Sequence, residues 1–181
     1  MKYNQKIILK NGREAWLRNG DASDRHAVYE LFNLAHAETD YLLTYPDENS
    51  FDPEQESVFL TEKTNSHNEI EIISIVDDKV VGSAGIEAIG TKYKVRHRAE
   101  FGISVLQEYW GLGLGKALTK ACIECARNAG YVQLELTVVA ENERAVKMYR
   151  NFGFEEFGRN PRGFNSRVSG YQEVIYMLLV L

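Results

Sequence analysis

A turn with alternating glycines is the part of the sequence best suited to bind an anion. It joins an alternating apolar run that ends at Val105 to a helical pattern that follows the last glycine. A helix that begins at such a turn presents unpaired backbone amides and the positive end of its dipole, and glycine leaves room for a phosphate to approach. The turn therefore predicts a phosphate site, whose candidate ligands are Trp110, Gly111, Leu112, Gly113, Leu114, Gly115 and Lys116.

The spacing of these glycines disfavours two widespread phosphate loops. The dinucleotide fingerprint needs glycine at the position of Lys116, and a P-loop needs Ser or Thr at the position of Ala117. The turn thus predicts a pyrophosphate cradle of another type rather than the site of a nucleotide switch or kinase. From these residues alone, a turn that only lets a helix and a strand pack closely is the alternative.

A second pattern occupies residues 142–154, with the sequence Asn-Glu-Arg-Ala-Val-Lys-Met-Tyr-Arg-Asn-Phe-Gly-Phe. Asn142 stands where it can cap a helix by accepting a hydrogen bond from an amide one turn in, and direct contact with a ligand is the alternative. Tyr149 falls on the apolar stripe of that helix. We therefore predict that its ring is in the core, which leaves the hydroxyl group as the part available to a ligand.

Together the two patterns resemble the GNAT superfamily of acyl-CoA N-acyltransferases. Its members commonly carry a strand, then Arg or Gln followed by two residues and Gly-x-Gly/Ala opening a helix, and later Asn-x-x-Ala-x-x-x-Tyr with Gly-Phe close behind. The resemblance covers about residues 80–155. Trp110 departs from it, because Arg or Gln is usual there, and this leaves the backbone amides and Lys116 to hold the phosphates.

The resemblance implies an enzyme that transfers the acetyl group of acetyl-CoA, as co-substrate and without a metal, to a primary amine of a small molecule or peptide. Attack is direct, in a ternary complex. Tyr149 is implied to protonate the departing thiolate. Ile103 and Val105 are implied to give backbone contacts to the pantetheine arm and the thioester carbonyl, where their strand splays from its neighbour. A non-catalytic acyl-CoA-binding regulatory module is the alternative.

Amide formation also needs a proton acceptor, because an alkyl ammonium group with a pKa of about 10.4 is protonated at neutral pH. Glu100 is the candidate catalytic base. It stands in the strand before the glycine turn, on the face away from the aliphatic row, and several family members place a glutamate there as base or water-relay anchor. Arg98 shares that face, so a partly solvated ion pair is the alternative.

Two segments that line the acceptor groove in the family carry conflicting charges here. Residues 38–50 are acidic and aromatic, which suits a cationic amine, although a solvated loop is the favoured explanation. Residues 159–171 include Arg162 and Arg167, which favour an acceptor with a carboxylate or phosphate. The sequence leaves the acceptor unresolved.

The elements that must position these residues are predicted in the order βααβββαβαββ. This order indicates a mixed α/β (α+β) class, the GNAT fold, with a mostly antiparallel sheet of six to seven strands flanked by about four helices in a single domain over residues 1–181. Asp77 and Asp78 predict a hairpin turn. Strands are expected near residues 14–18, 69–76, 80–89, 94–105, 131–139, 154–158 and 171–180, and helices near 27–35, 53–62, 114–126 and 142–152.

Composition narrows the remaining classes. A net charge of -5 gives no general attraction to polyanions, so no nucleic acid partner is expected. The apolar stretch at residues 7–9 is too short for a signal peptide or membrane span, which predicts no membrane partner and a cytoplasmic location. Cys122 and Cys125 lack a second ligand pair and are predicted to be buried thiols. A homodimer through the late strands follows from family habit alone.

Overall fold

The computed structural model describes residues 1–181 as an eight-stranded sheet with helices on both faces. The strand order is β1-β2-β3-β4-β5-β6-β8-β7, and only β5 and β6 are parallel. The predicted fold class is confirmed, with one more strand than expected. The strands are β1 (Asn4–Ile8), β2 (Glu14–Asn19), β3 (Ile70–Val76), β4 (Lys79–Ala88), β5 (Arg98–Val105), β6 (Gln133–Val139), β7 (Glu155–Ser166) and β8 (Gly170–Val180), and the helices are α1 (Arg25–Glu38), α2 (Pro53–Asn65), α3 (Leu114–Asn128) and α4 (Glu143–Asn151).

The additional strand, β1, forms an edge hairpin with β2. Four of its five residues are exposed, so it carries none of the apolar alternation that marks a half-buried strand. The connection between the two strands contacts the glycine turn, because the Lys10 amide donates a 3.0 Å hydrogen bond to the Leu112 carbonyl oxygen. A strand without a sequence signal therefore supports the predicted phosphate site.

Several predicted boundaries are shifted. Asp77 and Asp78 form the predicted turn, both with positive φ, as a two-residue hairpin requires. β5 begins at Arg98, because residues 94–97 form a turn. β7 is longer than predicted and contains Pro161, which an edge strand tolerates where the register shifts between Asn160 and Phe164. No helix combines the length and apolar character needed to cross a bilayer.

The two faces of the sheet are filled differently. The α3 face carries a core cluster of 29 buried residues. The opposite face, beneath α1 and α2, has a cluster of only three, Val28, Leu60 and Ile73. Small or polar residues of β3, β4 and β5 point to that second face, and tight helix packing is not reached there. They are Glu71, Ser83, Gly85, Gly102 and Ser104.

The parallel strands β5 and β6 diverge after a short ladder. They pair at residues 98–100, whereas β6 goes on to pair with β8 along its whole length. Residues 101–105 of β5 therefore have no ladder on the β6 side, and a gap opens towards the glycine turn. This is the splay that the family resemblance implied.

Candidate active site

A cavity of about 680 Å³ lies at this gap, where the end of β5 meets the first turns of α3 and α4. It brings together residues from four segments that are far apart in the sequence. Of the predicted cofactor ligands, those that line it are Ile103, Val105, Trp110, Gly111, Gly113, Gly115, Lys116, Asn142 and Tyr149.

The other two predicted ligands are oriented away from the cavity. Leu114 is fully buried in the core, and Leu112 packs against the same core. Both residues lie within the turn, but the residues of the turn that face the cavity are Trp110, the three glycines and Lys116. Leu112 and Leu114 therefore have only backbone groups to offer a ligand.

The glycine turn exposes backbone donors to the cavity. Gly111 and Gly113 have φ of 82° and 97°, values that glycine adopts without strain. Gly113 caps α3, and the first amide bonded to its carbonyl oxygen is that of Ala117, at 3.1 Å. The amides of residues 114–116 consequently have no intrahelical acceptor, which makes this helix start an anion site.

Arg144 provides a cation beside the turn that the sequence reasoning did not identify. Its guanidinium carbon lies 6.0 Å from the centre of the Trp110 ring, and its Nη2 would be 2.8 Å from a Cβ on Gly111. The first turn of α4 thus supplies positive charge where the turn itself has Trp110. Lys10 and Lys147, also unpredicted, line the cavity with Lys116, against the acidic Glu141 and Glu143.

Asn142 and Tyr149 occupy the α4 side of the cavity. The Asn142 Oδ1 accepts a 3.2 Å hydrogen bond from the Ala145 amide, which confirms the predicted helix cap, and the residue also lines the cavity. The Tyr149 side chain is only 6% exposed, and its ring packs edge-on against Phe101 and Phe154. Its hydroxyl group has no hydrogen-bond partner in the protein.

Burial raises the pKa of Tyr149 above its ordinary value. The phenol therefore keeps its proton throughout the neutral range, in a position facing the cavity. A protonated hydroxyl group without a protein acceptor is suited to donate to a group bound there.

The comparison with known families identifies the family of the chain. A sequence profile described as the Acetyltransferase (GNAT) family matches residues 26–154. The chain belongs to this family. It is an acyltransferase that uses acetyl-CoA as its co-substrate, and the cavity, with its unpaired amides and its cations, fits the phosphates of that molecule.

Individual relatives agree with this assignment. The L-amino acid N-acetyltransferase AaaT of Escherichia coli (strain K12) is 32% identical over 111 residues, which are 61% of this chain and 67% of the relative. The crystal structure of a GNAT acetyltransferase from Streptococcus pneumoniae superposes with a TM-score of 0.88 at 27% identity, over 92% of this chain and 99% of the other. The fold is also that of a phosphinothricin acetyltransferase from Sinorhizobium meliloti, with a TM-score of 0.79 at 19% identity, over 92% of this chain and 88% of the other.

Glu100 lies on the surface of the acetyltransferase, outside the cofactor cavity. Its carboxylate has no partner, because Arg98 instead pairs with Glu135 on β6, with 2.8 Å between Nη2 and Oε2. The Arg98–Glu100 ion pair considered from the sequence is thus not formed. Glu100 shares its sheet face with Ser104, about 13 Å away along the strand at about 3.3 Å per residue, so it can reach the gap only through water.

The two predicted acceptor segments mostly neutralise each other. Asp40 accepts hydrogen bonds from the hydroxyl groups of Ser166 and Ser169 at 2.6 and 2.8 Å, and Arg167 binds Asp47 at 2.8 Å. These contacts fasten the loop after α1 to the β7–β8 turn. Neither the acids nor Arg167 is therefore free to select an acceptor, although residues 39, 41 and 42 do reach the cofactor cavity.

Both cysteines are buried in α3 as free thiols, as predicted. Burial raises the pKa of Cys122, and that of Cys125 to about 11. Neither thiol is therefore a nucleophile at neutral pH. The structure also contains no cluster of three or more His, Cys, Asp or Glu residues arranged to hold a metal ion.

Proposed function

We propose that this acetyltransferase acetylates a primary amine of a small molecule or peptide by direct attack of the amine on acetyl-CoA in a ternary complex. The observation that carries the proposal is one continuous cavity that holds both the unpaired amides of the glycine turn and the unpartnered Tyr149 hydroxyl group. The transfer requires that the pyrophosphate of the cofactor is held at the turn and that a proton donor for the departing thiolate lies further along the same cavity.

The cofactor is held mainly by backbone groups. The amides of residues 114–116 and the side chains of Arg144 and Lys116 bind the phosphates, while Ile103 and Val105 offer main-chain groups to the pantetheine arm. The missing β6 ladder beyond residue 100 supports this role of β5. Asn142 has a structural role as helix cap, and it lines the same cavity.

The chemistry needs one proton acceptor and one proton donor. The amine nitrogen attacks the thioester carbonyl carbon, the carbon–sulfur bond breaks, and Tyr149 gives its proton to the departing thiolate. The proton lost by the amine passes through water to Glu100, whose carboxylate is free of any ion pair and shares the sheet face of Ser104. The products are the amide and the free thiol of coenzyme A.

A screen for thiol release tests this function. The purified protein is incubated with acetyl-CoA and polyamines, aminoglycosides, amino acids or peptides with free amino termini, and free thiol is measured with a chromogenic disulfide. Cys122 and Cys125 are buried and contribute little background. Acetyl-CoA binding without thiol release for any amine would favour the regulatory module instead. The cytoplasmic location and the homodimer stay predictions.

A further inference from the structure

A second cavity, of about 340 Å³, lies beneath α1, α2 and the loop between them, against the face of the sheet that carries no large core. Ser104 lines both this cavity and the cofactor cavity. The two cavities thus share a wall at β5, beside the gap in which the proposed function places the thioester. A molecule in the second cavity can present an amine to the cofactor from there.

The sheet forms the floor of this cavity, which Ser83 and Ser104 line, and glycines lie beside them on the same strands. Gly85 on β4 pairs with Gly102 on β5, and Ser83 pairs with Ser104. A Cβ at Gly85 would collide with the carboxylate of Glu71, so that carboxylate extends across β4 towards β5. Glycine at position 85 is therefore what allows an acidic side chain to lie over the floor.

A second carboxylate enters from the helix above. The Glu56 side chain is only 7% exposed, lines the cavity, and has neither a hydrogen bond nor an ion pair. Burying an unpartnered carboxylate costs free energy, which a folded protein rarely tolerates without a use for the group. Glu56 is thus an acceptor without a donor, held at a cavity wall.

The residues that line the cavity include acidic side chains but no basic ones. No lysine or arginine lines the cavity, and its third acid, Glu48, already accepts from the Tyr45 amide at 2.9 Å and lies 3.5 Å from Arg167. Behind Glu71, the nearest cation is Lys63, which binds Glu69 and Glu87 at 2.9 Å each. Burial raises the pKa of both Glu56 and Glu71 to about 7.

Aromatic rings complete the walls. Phe51 and Phe59 pack edge to face at 5.8 Å, and Phe32 lines the cavity from α1. Aromatic faces beside carboxylates favour an alkyl ammonium ion, whose carbon chain packs on the rings while its charge meets the acids. A carboxylate on the ligand would find no lysine or arginine among the lining residues and would be repelled by the acids. The nearby Lys63 ammonium lies 5.2 Å from the centre of the Phe59 ring and is committed to Glu69 and Glu87.

We infer that this cavity is the acceptor site for a short alkyl diamine or the end of a polyamine, with one amine at Ser104 and the other, as ammonium, held by Glu56 and Glu71. The inference rests on the proposed function and specifies its substrate class. It differs from the chemistry named for the Escherichia coli relative, since an L-amino acid brings a carboxylate next to its amine.

Three matched amines test the substrate class in the thiol-release assay. L-Ornithine is 1,4-diaminobutane with an added carboxylate, and 1-aminobutane lacks the second amine. We expect kcat/KM for 1,4-diaminobutane to exceed both by about 30-fold or more, as expected for a charge held at a buried site. Spermidine, tested alongside, shows whether a polyamine end is preferred to the free diamine. A preference for L-ornithine, for other amino acids or for peptides would overturn the inference and leave the proposed function intact.

Two variants test the assigned carboxylates. E56Q and E71Q should each raise KM for 1,4-diaminobutane about 10-fold, and should lower kcat/KM for 1-aminobutane, which has no second ammonium group to lose, by much less. E62Q changes an exposed glutamate of the same helix, α2, and serves as the matched control. Calorimetric titration of the folded variants with 1,4-diaminobutane provides a measure of binding independent of turnover. Equal loss for both amines would overturn the assignment.

Discussion

The Trp110 indole nitrogen donates a 2.7 Å hydrogen bond to the carbonyl oxygen of Val105, and so ties the glycine turn to the end of β5. The same indole lies beside the Arg144 guanidinium group. Trp110 thus makes a structural contact at a position where the family usually has Arg or Gln. The positive charge beside the turn comes from α4 instead. We propose that phosphate binding is divided here between two elements, the glycine turn and α4.

This division predicts unequal effects of two substitutions on acetyl-CoA binding. Arg144→Ala should weaken binding about 10-fold and reduce its dependence on salt, because a cation facing phosphate is lost. Trp110→Ala should weaken binding only about threefold, because the removed bond is neutral and lies within the protein. Titration calorimetry at two salt concentrations measures both, with Arg127→Ala at the exposed end of α3 as the control. A larger loss for Trp110→Ala than for Arg144→Ala would contradict the division.

The glycine turn itself is tested by Gly113→Val, which should abolish acetyl-CoA binding. A Cβ at this position meets no protein atom within 4 Å, so the added side chain projects towards the ligand, and the positive φ is strained for any other residue. Gly130→Val is the matched control, because Gly130 has φ of 81°, open space around its Cβ and a place at the other end of α3. If both variants lost binding equally, strain rather than occlusion would be the cause.

Tyr149→Phe tests the proton donor. We expect kcat to fall about 100-fold, within the usual range for a general acid, while the dissociation constant for acetyl-CoA changes little. Stability should hardly change, because the hydroxyl group has no partner to lose. Tyr176→Phe, on β8 outside both cavities, controls for the loss of a phenol. Unchanged turnover in Tyr149→Phe would remove the residue from the mechanism.

Glu100→Gln tests the proton acceptor. A base must be ionised to act, so the variant should lose turnover and show a different dependence of kcat/KM on pH from the wild type. Glu87→Gln is the control, since Glu87 is the register partner of Glu100 on β4 and is committed to Lys63. Superimposable pH profiles for wild type and Glu100→Gln would show that the proton leaves by another route.

The local part of the site could be read from the sequence. The glycines, the Asn142 cap and the Tyr149 stripe are contained in short stretches of chain, where spacing alone sets the direction of each group. The order of the elements along the chain can also be predicted, because hydrophobic periodicity marks every strand that is buried on a face. β1 was missed for the opposite reason, since an exposed edge strand leaves no such periodicity.

The contacts between distant parts of the chain could not be predicted from the sequence. Arg144 reaches the glycine turn only because α4 packs beside α3, and no spacing between them announces the contact. Glu71 lies in an alternating run of isoleucines, where a polar residue normally marks a solvated face. Only the helices above that face, and the glycine beside it, enclose Glu71 together with Glu56.

The pH dependence of the stability of Glu56→Gln tests whether this enclosed carboxylate destabilises the folded protein. The pKa of Glu56 is raised from 4.5 to about 7 in the folded state, so its contribution to the free energy of unfolding is most favourable below pH 4.5 and is lost as pH rises through about 7. The Glu56→Gln variant does not lose stability in this way, because glutamine is never ionised.

The variant should therefore melt at a higher temperature than the wild type at pH 8, and the difference should shrink at pH 5. Glu71 and Glu48 face Glu56 in the cavity and are present in both proteins. Part of the difference comes through Glu71, because the Glu56 carboxylate helps to raise the pKa of Glu71. Thermal unfolding at the two pH values measures the difference, with Glu62→Gln as the control on α2. A variant that gains stability at pH 8 while losing affinity for 1,4-diaminobutane shows that Glu56 is retained for its ligand. A difference independent of pH would show that Glu56 has the same pKa in the folded and the unfolded protein, and that the carboxylate is not held at a cost.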